Sequence, residues 1–157
     1  MPTGLHEKEP SPTGPHRFQL DRWVSCAPFE RLLNITITEA RDGEATLTMP
    51  FFIDYAQGAG LMHGGALVTL ADTAVAMAIK SVLKPMSNFA TISLESRFLL
   101  PVTKGIVTAK AQIVSRDGRR LKGKATLYDE EGRAVMEFYS TFKISKESVK
   151  DLTPDPT

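Results

Sequence analysis

Apolar and polar positions along this 157-residue chain change their period several times, and each change marks an element. Residues 1–16 carry no apolar period. Four prolines and two glycines stand there among few large side chains, which predicts a disordered tail outside the folded domain. Over residues 19–33, Leu20, Trp23, Val24, Phe29, Leu32 and Leu33 recur at roughly helical intervals. Pro28 interrupts that run, so the pattern predicts a short or broken helix. Two alternating stretches, 34–41 and 44–50, flank Asp42-Gly43, a two-residue hairpin signal. A glycine-containing loop covers 51–65. From about 64 to 83 nearly every position is apolar, and the run stops before Pro85, as a helix buried on all sides would. Alternation then returns in 91–99, where Ile92, Leu94 and Phe98 are read onto one face, and in 105–116. Asp117-Gly118 turns the chain into 119–128, and Glu131-Gly132 turns it into 133–144. In that last strand Ala134, Met136, Phe138, Ser140, Phe142 and Ile144 share a face.

Two strands, one long buried helix and about four antiparallel strands make an α+β domain, with the sheet curling round the helix. The expected folded domain is 17–146, between tails at 1–16 and 147–157. One helix cannot cover every apolar sheet face, so a homo-oligomer is implied. Composition narrows the partners. Apolar content of 42% and charged content of 24% are ordinary for a globular domain, and the net charge of +1 gives no broad basic field for nucleic acid or an anionic membrane. Cys26 is the one cysteine, so neither an internal disulfide nor a cysteine zinc site is expected, and packing alone must hold the core. The first residues hold no basic start and no apolar run, so a cytoplasmic protein without a secretory signal is the expectation. Asp72 and Lys80 inside the long apolar stretch favour a core helix over a membrane span.

Asp72 is the first candidate for chemistry. A buried ionised carboxylate costs several kcal/mol unless it is paired, hydrogen-bonded or opened to a cleft. Two readings follow: a structural acid tied to some backbone group, or a functional carboxylate with a raised pKa, usable as base or nucleophile. The approach to the helix favours the second. His63-Gly64-Gly65 stands where the chain enters it, and helix N-termini expose unpaired N–H groups and partial positive charge. Glycines there admit another group close to the backbone, which suits an anion or an oxyanion. The lysine and spacing of a nucleotide-binding P-loop are lacking.

Gln57, six residues before His63, and Asp72, nine after it, complete the stretch QGAGLMHGGALVTLAD. It resembles the loop-helix signature of the hotdog-fold thioesterases, in the branch that includes phenylacetyl-CoA and hydroxybenzoyl-CoA thioesterases. The resemblance covers roughly residues 30–145. It implies a curved antiparallel sheet wrapped around one long central helix, and hydrolysis of an acyl-CoA thioester without a further cofactor. It also implies roles. Gln57 would position the thioester or the attacking water, and His63 would serve the carbonyl and leaving side. The N–H at the Gly64-Gly65 turn, that of Gly65 above all, would donate to the oxyanion, with Gly64 beside the substrate. Asp72 would be nucleophile or general base, and Thr91 would assist from the following strand. Gln57 is typical of relatives whose acid is Glu, whereas the acid here is Asp, which blurs the acyl group.

A second cluster, Ser115-Arg116-Asp117-Gly118-Arg119-Arg120 with Lys122 and Lys124, forms a cationic hairpin. It reads either as a solvated turn or as a site for coenzyme A phosphates, with Arg119 and Arg120 suited to bidentate contacts. Rival functions are a hotdog-fold hydratase or dehydratase and a non-catalytic acyl-CoA-binding protein. Gly65 and Asp72 lie seven residues apart, about 10 Å along a regular helix. That exceeds a side chain's reach, so the expected site is shared between two chains of a dimer or a dimer of dimers.

Overall fold

The computed structural model describes residues 8–150. Residues 8–16 are exposed and carry no helix or strand, while 1–7 and 151–157 lie outside the described residues. Helix α1, Pro28–Leu32, is one short turn-and-a-half that begins on its proline. There the missing N–H is no loss, because the first helical N–H has no partner anyway. Strands β1 (Thr36–Arg41) and β2 (Glu44–Pro50) form the first hairpin. Both of its turn residues, Asp42 and Gly43, have positive φ, as the turn matching strand twist requires. Helix α2, Gly64–Lys80, comes next, followed by β3 (Phe89–Phe98), β4 (Ile106–Asp117), β5 (Arg120–Tyr128) and β6 (Ala134–Ile144).

The six strands form one antiparallel, curved sheet in the order β1-β2-β4-β5-β6-β3. This is the α+β arrangement that the sequence pattern implies and the hotdog fold that the resemblance implies. Helix α2 packs chiefly on β2, β4 and β5. Nine of its seventeen residues are buried, and each large one among them, such as Leu70 or Ile79, contributes roughly 1.5–3 kcal/mol. They meet Leu47, Met49, Val107, Leu121, Leu127, Met136, Phe138 and Ile144 from the sheet, all fully buried. Regular helix stops at Lys80, three residues short of the expected end. Ser81 then folds back, its hydroxyl donating to Ala78 O and accepting from Gly43 N–H. Residues 146–150, which straddle the expected start of the polar tail at 147, form a short helix α3. It is tied down by Ser148 Oγ, which accepts from Asn88 N–H at 2.8 Å.

The edge strand β3 departs from simple alternation. Its register with β6 runs Thr91↔Phe142 and then Ser93↔Thr141, leaving Ile92 as an extra residue in a bulge. Paired residues share a face, so Thr91 sits with the inward Phe142, and Leu94 and Phe98 sit with the inward Ser140 and Met136. Ile92 therefore does not share a face with Leu94 and Phe98, as unbroken alternation predicts. The bulge shifts the phase, and Thr91 and Phe98, seven positions apart, both point toward the helix. Ile92, Leu94 and Phe98 are about half exposed on this edge.

Helix and sheet approach tightly where Val75 meets Gly123. A Cβ on Gly123 would collide with Val75 Cγ1. Gly123→Ala should therefore cost about 1–3 kcal/mol as an overpacked contact. Adding Val75→Ala to it should recover part of that loss, because the two lesions share one space. Urea denaturation of the two single variants and the double variant measures the coupling, and strictly additive losses would contradict this packing.

Candidate active site

The helix entrance is held by backbone hydrogen bonds on both sides. His63 N–H donates to Tyr55 O at 2.7 Å, and Met62 N–H donates to Val102 O at 2.9 Å. His63 is extended and caps the helix, its Nδ1 accepting the Gly65 N–H at 2.9 Å. The donor expected to face an oxyanion, the Gly65 N–H, is thus already engaged within the turn. Gly64 N–H has no acceptor among the described residues, which makes it the open donor. Gly64 also meets the Phe98 ring, which a Cβ at that position would touch at 3.2 Å. Gln57 lines the same cleft of about 360 Å³ with Gly64, Leu67 and Phe98, and its side-chain oxygen accepts from Ala59 N–H. A smaller hollow of about 220 Å³ lies beside His63 and Gly65, lined also by Phe29 of α1, by Leu33 just past its end and by Thr69.

Asp72 lies two turns further along. Thr91 Oγ1 donates to its Oδ1 at 2.8 Å, a contact that the β3 bulge allows by turning Thr91 inward. Burial pushes the Asp72 carboxyl above its ordinary value, the Thr91 hydrogen bond opposes that shift, and the Glu30 carboxylate reinforces it. Glu30 was not singled out in the sequence. It belongs to α1, 42 residues from Asp72 along the chain, and no periodicity links the two. Gly64 and Asp72 are eight residues apart, about 12 Å along the axis of a regular helix. Within one chain these residues fall into two separate groups: Gln57, His63 and Gly64 at the helix entrance, and Asp72 with Thr91 in its middle. Gly65 and Asp72 stand nearly two full turns apart, so they share a face, and their separation is axial.

The cationic hairpin turns at Gly118-Arg119, with Asp117 still paired to Arg120, one residue later than the sequence suggests. Arg119 Nη1 donates to Ile144 O at 3.2 Å, while Arg120 is exposed. Thr91, Phe142 and Leu121 pair in one row across β3, β6 and β5. The hairpin therefore stands at the Asp72–Thr91 end of the sheet, roughly two strand spacings, ~10 Å, from Thr91. Among the described residues no three His, Cys, Asp or Glu side chains gather to hold a metal ion. No helix is long and apolar enough to cross a membrane.

Residues 59–136, which include the helix entrance, Asp72, Thr91 and the hairpin, match the thioesterase superfamily. The chain belongs to that family. A protein of Halobacterium salinarum, named provisionally as an esterase, is 38% identical over 87 residues. That match covers 52% of this chain and 57% of the relative's length. The PaaI protein of E. coli, from the phenylacetic acid degradation operon, is similar in structure with a TM-score of 0.70 at 25% identity, covering 76% of this chain and 85% of its own. A conserved protein of Pseudomonas aeruginosa shares the fold with a TM-score of 0.75 at 22% identity, over 80% of this chain and all of its own. So does a hypothetical thioesterase of Streptococcus pneumoniae solved with coenzyme A, with a TM-score of 0.66 at 22% identity, over 71% and 86%.

The raised carboxyl has a consequence for stability that checks the site without any substrate. The folded chain holds the Asp72 proton more tightly than the unfolded chain does. Its contribution is complete below the ordinary value of 3.8 and is lost as pH rises through the higher folded value. Asparagine mimics the protonated acid and escapes that loss. Asp72→Asn should therefore melt at or above the parent temperature at pH 7 and show a smaller advantage at pH 4. Thermal melts at the two pH values measure this, and an advantage that grows toward acid would contradict the assignment.

Proposed function

We propose that this chain is an acyl-CoA thioesterase, hydrolysing a CoA thioester to a free acid and coenzyme A. The observation that carries the proposal is the half-buried Asp72, held by Thr91 and pushed toward its protonated form in a family of thioesterases. An acid that holds its proton more tightly than an ordinary carboxyl suits a general base that takes a proton from water, or a nucleophile sheltered from solvent. Gly64 N–H is the oxyanion donor in this reading, supplemented by the positive end of α2. His63 serves two ends: its Nδ1 fixes the turn, and its exposed ring borders the thioester. Gln57 orients the carbonyl or the water. The coenzyme A of the substrate is the one organic group required, and no metal takes part. Arg120, with Arg119 behind it, meets the phosphates. That a hypothetical thioesterase of the same fold has been solved with coenzyme A is consistent with such a substrate.

Incubating the protein with a panel of acyl-CoAs and a thiol reagent tests the reading. Thiol release is expected, and Asp72→Asn should slow it at least about a hundredfold, the scale of a lost general base. Enoyl-CoA formation instead would identify a dehydratase, and binding without turnover would identify an acyl-CoA-binding protein.

The site takes the entrance of one helix and the acid of another, because about 12 Å along one helix separates Gly64 from Asp72. Two chains related by a two-fold axis supply both. The half-exposed apolar side chains of β3, an edge strand with one open hydrogen-bonding side, favour such a pairing. Inactive His63→Ala and Asp72→Ala variants, unfolded and refolded together, should regain roughly a quarter of parent activity, since half the dimers are mixed and each carries one intact site. Mixed dimers demonstrated by native mass spectrometry, with no activity regained, would exclude a shared site.

A further inference from the structure

Away from the helix entrance, the segment 17–23 and the loop 85–88 enclose a cleft of about 700 Å³, large enough for a nucleotide-sized ligand. Its lining combines two kinds of side chain. Arg17 and Arg22 are exposed, and among the described residues neither forms a salt bridge. Asp21 between them is exposed as well, which leaves the segment with surplus positive charge. Phe18 is 62% exposed, Met86 is 83% exposed, and Trp23 is half-buried. Unpaired guanidinium groups beside bare aromatic surface suit a ligand that has both phosphates and a flat ring.

The cleft is anchored rather than loose. Trp23 Nε1 donates to Lys80 O at 2.9 Å, and Lys80 Nζ returns a bond to Trp23 O at 3.0 Å. The same ammonium lies 4.5 Å from the centre of the indole ring. The segment is thereby fixed to the C-terminal end of α2. On its other side the cleft adjoins the cationic hairpin. Asn88, which lines the cleft, accepts from Ser145 N–H at 2.8 Å, and the neighbouring Ile144 O accepts from Arg119. Lys80 is eight residues from Asp72, again about 12 Å along the helix. A ligand seated here therefore needs an arm of more than about 10 Å to reach the acid. Coenzyme A has that form: a phosphorylated adenosine joined by the long pantetheine arm to the thioester.

We propose that the cleft between residues 17–23 and 85–88 binds the phosphorylated adenosine end of coenzyme A. Arg17 and Arg22 take the phosphates, and Phe18 and Trp23 face the base. This rests on the reading of the chain as a protein that handles CoA thioesters, and it extends the phosphate site from the hairpin to a segment outside the matched family region. Trp23 is the one tryptophan of the chain, so its fluorescence reports on the cleft directly. Titration of the full chain with adenosine 3′,5′-bisphosphate should give a saturable change, weakened at least tenfold in Arg17→Ala/Arg22→Ala and less in Arg17→Lys/Arg22→Lys. The alanine pair should raise KM for acyl-CoA and leave turnover of short N-acetylcysteamine thioesters unchanged. The arginines are exposed, and a melting temperature equal to the parent's checks that the variants fold. No saturable response, equal affinity in the alanine pair, or inorganic phosphate binding as tightly as the bisphosphate would each overturn the proposal. Acyl-CoA cleavage without a Trp23 response would leave the thioesterase reading standing and this one refuted. A Trp23 response in a chain that cleaves no thioester would do the reverse.

Discussion

Burial of α2 against the curved sheet is the interaction on which the rest depends. Nine of the seventeen residues of α2 are buried, and the tight contact of Val75 over Gly123, where no Cβ would fit, helps to fix its height above the sheet. Because a helix is stiff, locating one point of it locates all of it. The free Gly64 N–H at one end, Asp72 in the middle and the Lys80 anchor for Trp23 at the other end are marks on a single rod. Packing energy spread over a large apolar surface thus holds the polar groups where they could not hold themselves.

The acid is affordable in that setting because it is not fully enclosed. Asp72 keeps one hydrogen bond, from Thr91, and faces the stripe of α2 that the sheet leaves uncovered. Glu30 comes near from α1 and works against ionisation. Three elements distant in sequence therefore set one proton affinity. The helix supplies the burial, the edge strand supplies the donor, and the short N-terminal helix supplies a like charge.

Much of this was legible in the chain. Alternation in residues 44–50 and 106–144 and the apolar run after Gly64 follow directly from which faces must leave water, so the fold emerged with boundaries off by a few residues. The acid stands out because a lone carboxylate in an apolar helix is anomalous by itself, and the glycine turn because it sits where that helix begins, whereas Thr91 enters only through the family resemblance. Other features left no local trace. The bulge at Ile92 is a matter of pairing between β3 and β6, invisible to a period read from one strand. Capture of the Gly65 N–H by His63 depends on the cap geometry of a single residue, which moved the open donor by one position. Glu30, Arg17 and Arg22 are unremarkable charges in sequence, and only the path of residues 17–33 past α2 gives them neighbours.

The bulge in β3 also governs how this domain can tolerate changes of length. It divides the edge strand into two short rulers, 89–91 and 94–98, whose side chains are keyed to the helix in opposite parity. Removing Ile92 would leave a shorter strand in unbroken alternation, with Thr91 still opposite Phe142 and Phe98 still opposite Met136, six positions apart and both inward. Straightening the strand at its present length is what would break the alignment. With one residue set against each residue of β6, a separation of seven puts Thr91 and Phe98 on opposite faces, one of them turned away from the helix. The odd residue is what lets a strand of this length keep both ends of the site on one side of the sheet.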